Sequence, residues 1–381
     1  MTAGKDFLQN KEQGMVRRNV ILGMMILPLL FSCTASETTN ESAAPPFKMV
    51  TPQHLFSVSA PDPDHVWIGG YKSTLMYSPD AGKTWAKQET GVAWDICSIC
   101  FIDDTAGWAV GKEGTILHTT DGGTTWSSQS SPSVNHLLDV FFVDHNNGWI
   151  VGYLTTMLRT TDGGKTWQDR HQQVKRPIDA QLEREGKVFM LRPRDPSLNA
   201  VHALDSRHVW IAAEYGTILC SSDGGDTWQT RGCKDIYPVV SEKEWLSPMP
   251  SLYSIFFKDK QNGWAVGMDG VILHTADSGT TWSKLESPLA KEKPTLYAVK
   301  IVGSSGWALG QFGEYMLSRD GGTTWQMKTG ALRTRRWLRD MDFADENNGW
   351  AVGERGTIVR TTDGGETWTM PSGMPLKPDA F

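Results

Sequence analysis

Fourteen of the seventeen tryptophans in this chain fall into seven pairs, and the members of every pair stand 18 residues apart. The pairs are Trp67/Trp85, Trp108/Trp126, Trp149/Trp167, Trp210/Trp228, Trp264/Trp282, Trp307/Trp325 and Trp350/Trp368. A fixed spacing within copies and unequal gaps between them mark a repeat fold, in which each copy buries its face only against its neighbours. The second tryptophan closes an eight-residue motif, S/T-x-D-x-G-x-T-W, from SPDAGKTW at 78–85 to TTDGGETW at 361–368.

Within a repeat the apolar residues alternate with period two, which predicts strands. In residues 137–168, Leu138, Val140 and Phe142 alternate in a first strand and Asp144 to Asn147 form a turn. Residues 148–152 are a second strand, Thr156 to Thr160 a third, and Thr166-Trp167-Gln168 open a fourth. The Asp-Gly-Gly between the third and fourth is a tight turn, with glycine supplying positive φ and the carboxylate accepting backbone N–H groups. Four antiparallel strands repeated radially make a propeller blade. The expected fold is all-β, a seven-bladed β-propeller of four-stranded antiparallel blades over residues 47–372, with a tail at 373–381. Asp80, Asp121, Asp162, Asp223, Asp277, Asp320 and Asp363 are read as turn-closing residues and the paired tryptophans as plugs between sheets.

The gaps from one pair to the next run 23, 23, 43, 36, 25 and 25 residues, so length variation falls between the fourth strand of one blade and the first of the next. In an up-and-down blade those connections share a face with the turns between strands two and three. Variable loops on a rigid scaffold are where binding is usually carried. The long connections 168–200 and 229–250 mark that face, and Trp94, Trp245 and Trp337, which the pairs do not use, lie in or beside the same connections.

Net charge is −6, which argues against nucleic acid as a partner. Arginine is unevenly placed. None occurs between Arg18 and Arg159, whereas Arg333, Arg335, Arg336 and Arg339 surround Trp337. Guanidinium forks around an indole suit a protein partner with acidic and apolar character, so these five residues form the candidate partner-binding site. Arg170, Arg176, Arg184, Arg192 and Arg194 form a second group, diluted by Asp169, Asp179, Glu183 and Glu185.

The N-terminus reads as an export signal over 1–33. Arg17-Arg18 precede an apolar run from Val20 to Phe31, too short to span a bilayer, which ends in Leu30-Phe31-Ser32-Cys33. That ending resembles the lipobox of bacterial lipoproteins and predicts acylation at Cys33, with Met15 an alternative start. The polar stretch 34–46 then serves as a tether. The expected location is membrane-anchored on the non-cytoplasmic side: periplasm or outer membrane, or the thylakoid lumen in a phototroph. Cys97 and Cys100 fall on a first strand, where residues i and i+3 point apart, so free thiols are expected rather than a metal site. A disulfide between Cys220 and Cys233 stays open. The residues suggest no cofactor and no metal.

Taken whole, the repeat approximates V-x-F-x-D-x-x-x-G-W-A-V-G-x-x-G-T-I-L-x-T-x-D-G-G-x-T-W, clearest in 254–282 and 341–368. It resembles the photosystem II assembly and stability factor family of cyanobacteria and chloroplasts, which has bacterial relatives beyond phototrophs. The resemblance spans about residues 50–370. It implies a non-catalytic, membrane-held propeller, expected to act as a monomer, that scaffolds or assembles a membrane protein complex through an arginine-rich patch.

Two other classes share such turns. A sialidase holds its substrate carboxylate with three arginines, the first ahead of the first Asp-containing turn, yet residues 34–77 hold no arginine. Another glycoside hydrolase needs two carboxylates about 5–10 Å apart. Glu113, Glu214, Asp269 and Glu354, in the turns between strands two and three, are the residues to inspect. A surface adhesin or carbohydrate-binding propeller is the third class.

Overall fold

The computed structural model describes residues 51–171, 195–232, 249–289, 293–328, 332 and 334–371. Seven antiparallel sheets follow one another along the chain, each with its strands in sequence order. Blades one to seven begin with the strands Leu55–Ser59, Ile96–Phe101, Leu137–Phe142, Leu198–Ala203, Leu252–Phe257, Leu296–Val302 and Leu338–Phe343. Six sheets have four strands; the seventh has three, with an isolated bridge between Arg360 and Thr369 in the fourth position. The first strand of each blade touches the first strand of the next, and that of blade seven touches that of blade one. The ring is thus closed within the compact unit Phe47–Phe381. Among the described residues no helix is long and apolar enough to cross a membrane.

The tryptophan pairs hold neighbouring blades together. Trp67, Trp108, Trp149, Trp210, Trp264, Trp307 and Trp350 are at most 3% exposed. In six of them the indole Nε1 donates to a carbonyl in the Asp-containing turn of the next blade, as from Trp108 to Gly163 (3.2 Å) and Trp307 to Gly364 (2.9 Å). Trp108 also stacks on Phe142 of blade three at 3.6 Å, and Trp167 makes a T-shaped contact with the same ring at 5.8 Å. The same sandwich recurs as Trp67/Phe101/Trp126, Trp210/Phe257/Trp282 and Trp307/Phe343/Trp368. Such offset and edge-on pairs add about 0.5–1.5 kcal/mol each beyond area burial. At the seam between blades seven and one the pattern changes. Trp350 Nε1 has no such acceptor, and Arg360 donates instead to the Ala81 carbonyl of blade one at 3.2 Å.

The Asp-containing turns close as the sequence requires. Asp162 accepts Thr160 Oγ1–H at 2.8 Å, Thr166 N–H at 2.9 Å and Thr166 Oγ1–H at 2.6 Å. Those donors hold the carboxyl below the usual carboxylate range, and all seven turns show the same depression.

One strand assignment needs correction. Leu138, Val140 and Phe142 do not share one face, because the pairing register shifts near the start of every first strand. Such a bulge inserts one residue and re-aims its side chain. Leu137 takes the fully buried place, while Leu138 turns into the central channel.

Candidate functional site

The geometry of the loop-rich face follows from a contact repeated in all seven blades. The turn between strands two and three donates its leading N–H to the carbonyl just before the blade's first strand. The pairs are Tyr71/His54, Lys112/Asp95, Tyr153/His136, Glu214/Ser197, Met268/Ser251, Gln311/Thr295 and Glu354/Trp337, all between 2.8 and 3.2 Å. Glycine is needed beside most of these carbonyls: a Cβ on Gly111 would lie 1.9 Å from the Asp95 oxygen. These turns and the connections between blades therefore share one face, and the Asp-containing turns occupy the other.

The turn tips adopt left-handed backbone. Glu113, Tyr215, Asp269, Phe312 and Arg355 have φ between 51° and 58°, and Leu154 and Thr155 have φ 53°. Glycine or asparagine enters this region readily, whereas it costs a bulky residue about 1–2 kcal/mol.

Behind the tips lies the mouth of the central channel. The seven bulge residues, Phe56, Cys97, Leu138, Asn199, Tyr253, Tyr297 and Arg339, ring a cavity of about 80 Å³. The Arg339 guanidinium lies over Tyr297 at 5.0 Å and over Tyr253 at 5.6 Å, within cation–π range. One residue deeper, Asp139 accepts Val201 N–H (2.8 Å) and Ser98 Oγ–H (2.7 Å), while Asp340 accepts Val58 N–H across the seam at 2.9 Å. Burial pushes the Asp139 carboxyl up to about 6. Burial, with Asp342 and Asp139 nearby, pushes Asp340 up to about 7. Asp342 pairs with Lys300 and accepts Ala60 N–H at 2.8 Å. Burial holds the His202 imidazole down to about 3, so it stays neutral beside Phe257 N–H. These groups act as struts between blades, since the three carboxylates and the His202 Nδ1 already accept backbone N–H groups.

The predicted arginine cluster is divided by this arrangement. Arg335 is exposed and Arg336 half-buried, donating to Thr357 Oγ1 at 3.3 Å. Trp337 is half-buried at the seam, stacked on Phe56 at 6.4 Å and tilted against His54 at 5.4 Å. Arg339 belongs to the channel rather than the outer surface. Trp94 is 50% exposed on the connection between blades one and two. Arg333, Cys33, Trp245, Cys233, Arg176, Arg184, Arg192 and Arg194 lie outside the described residues, as do the leader, the tether 34–46 and the tail. Sequence reasoning missed the bulge ring; its signal is a residue 11 before the first tryptophan of a blade, or 10 in blade six.

The remaining chemistry is sparse. Cys97, Cys100 and Cys220 are free thiols, and burial pushes them up to about 11, 12 and 12. The bulge makes Cys97 line the channel mouth, so the simple i/i+3 alternation does not describe this strand. Among the described residues no three His, Cys, Asp or Glu side chains gather as metal ligands. Glu113, Glu214, Asp269 and Glu354 stand on turns of four different blades. Glu214 accepts Ser197 N–H at 3.0 Å, and Glu354 lies 3.6 Å from Arg355.

The family model described as photosynthesis system II assembly factor YCF48 matches residues 36–132, 124–188, 238–329 and 327–379, well over half of the chain. The chain belongs to this family. It is 32% identical over 123 residues to the photosystem II stability/assembly factor HCF136 of Arabidopsis thaliana, a match covering 30% of this chain and 27% of that protein. Over 69 residues it is 41% identical to the HCF136 protein of Cyanidioschyzon merolae, covering 18% of this chain and 13% of that one. These matches span only a small part of the relatives' length.

A solved structure titled YCF48 bound to D1 peptide has a TM-score of 0.63 at 21% identity, covering 83% of this chain and 95% of that one. A GH74 xyloglucanase from Xanthomonas campestris has a TM-score of 0.62 at 12% identity, covering 85% and 55%. At such identities these likenesses show a shared fold and no more.

Proposed function

We propose that this protein is a non-catalytic assembly or stability factor for a membrane protein complex of photosystem II type. It docks a protein subunit on its loop-rich face. The observation that carries the reading is the family match over most of a propeller whose turns and variable connections emerge together on that face. A family relative solved with a D1 peptide supports a protein segment as ligand. Arg335 and Arg336, beside the stacked Trp337, supply guanidinium forks for partner carboxylates on this face, with Arg333 next to them in sequence. Arg339 orders the channel mouth beneath them. Acylation at Cys33 holds the protein on the non-cytoplasmic side of the membrane, where one propeller serves as a monomeric scaffold.

Changing Arg335 and Arg336 together to Glu tests the docking assignment. The thermal midpoint should move little, as surface changes usually do, while co-purification of the complex subunit is lost. Undiminished co-purification by a folded variant rules the patch out. Palmitate labelling that persists after Cys33→Ala excludes that residue as the anchor.

A further inference from the structure

We infer that the loop-rich face also rests directly on a lipid bilayer, with apolar side chains at the turn tips entering the headgroup region. All six exposed large hydrophobic residues among the described residues lie on this face: Tyr71, Trp94, Val134, Tyr153, Leu154 and Phe312, between 38% and 81% exposed. Tyr71, Tyr153, Leu154 and Phe312 stand in turns between strands two and three of blades one, three and six. Trp94 and Val134 stand in the connections leading into blades two and three. The Asp-containing face carries none among the described residues.

The backbone supplies a second, independent observation. Leu154 and Phe312 sit at φ 53° and 58°, while the corresponding tips of blades two, four, five and seven hold Glu113, the half-buried Tyr215, Asp269 and Arg355. Glycine, asparagine and aspartate take this conformation at the least cost. An exposed leucine and an exposed phenylalanine accept the strain without gaining burial. Such a choice points to a surface that buries them from outside.

A flat lipid surface fits these tips better than a peptide groove. The six residues are spread over five loops of the rim, and none of them lines the central cavity. Trp and Tyr favour the membrane–water boundary, where the ring is buried and its polar atom stays wet. The tip charges are mixed, Lys72 and Arg355 against Glu113 and Asp269, so attachment is apolar rather than Coulombic.

The described chain also enters the propeller on this face, through His54, which contacts Tyr71 and Trp337. Thr51 follows Cys33 by 18 residues, a span of at most about 65 Å when fully extended. An anchor at Cys33 is compatible with this face meeting the bilayer. That last point rests on the lipid-anchor reading; the others do not.

The test uses the propeller from residue 47 onward, which closes its own ring, so that neither anchor nor leader contributes. It is sedimented with vesicles of phosphatidylcholine alone, and of phosphatidylcholine with phosphatidylglycerol, in low and in about 0.5 M salt. The expected result is binding to both compositions that survives salt. The triple variant Trp94→Ser, Leu154→Asn, Phe312→Asn should bind about tenfold or more weakly. Its thermal midpoint should hold or rise, because asparagine tolerates the left-handed backbone. Brominated lipid should quench fluorescence in the parent, and Trp94→Phe should remove most of that quenching. Absence of sedimentation, binding only to the anionic vesicles at low salt, or undiminished binding by the triple variant overturns the inference. Partner co-purification in detergent, free of vesicles, would remain intact in that case and separates this failure from failure of the docking proposal.

Discussion

Replacing Phe142 with alanine should cost about 3–5 kcal/mol, the usual range for truncating a buried aromatic. The ring is 3% exposed and lies flat on Trp108 of the preceding blade at 3.6 Å. Trp167 meets it in a T-shaped contact at 5.8 Å, and a Cβ on Gly148 would stand 2.5 Å from the ring, so the ring is packed tightly on both neighbours. Phe142→Leu keeps most of the apolar volume and loses chiefly the two aromatic contacts, so its cost should be about 1–3 kcal/mol. A double-mutant cycle pairing Phe142→Leu with Trp108→Leu should show about 0.5–1.5 kcal/mol of coupling across the blade boundary. Urea unfolding followed by circular dichroism reads all of these, with an unchanged denaturant slope marking a true stability change. A loss under about 1 kcal/mol for the alanine variant, or no coupling, would refute the sandwich as the link between blades.

The same measurement on Trp167→Ala or Trp282→Ala should give about 3–5 kcal/mol, with function lost only as the fold is lost. The pH profile should show two opposite slopes. The Asp-containing turns, whose carboxyls are depressed, contribute stability above about pH 4 that disappears on acidification. Asp340 is raised to about 7 and Asp139 to about 6, so their stabilising protonated forms are lost as pH rises from about 4 to 7. Asp340→Asn should therefore flatten the profile between those values; an unchanged slope in chemical-denaturation series would show that Asp340 titrates normally. Cys97, Cys100 and Cys220 should resist alkylation at pH 8 until the protein unfolds, because burial disfavours the thiolate; rapid labelling of the native protein contradicts that.

The fold was legible because its determinants are local and repeated. A tryptophan 18 residues before another, with Asp-x-Gly between, specifies a hairpin and its plug in the same few residues. The channel was not legible, since a bulge breaks the period-two rule on which strand reading depends. It moved Leu138 out of the core, carried Arg339 into the channel mouth, and left Arg335 exposed with Arg336 half-buried beside it. The exposed tips were missed for a different reason. Leu154 and Phe312 look like ordinary strand-flanking apolar residues until their positive φ and exposure are known. Family membership came from the motif, whereas docking and membrane contact depend on which face each loop occupies.

Site-specific photo-crosslinking in native membranes distinguishes docking on the loop-rich face from docking on the opposite one. One crosslinker replaces Arg335 on the loop-rich face, and another replaces Lys165 in an Asp-containing turn on the opposite face. An adduct with a membrane-complex subunit is expected from position 335 and none from position 165. An adduct from 165 alone, or equal adducts from both, would contradict docking on the loop-rich face.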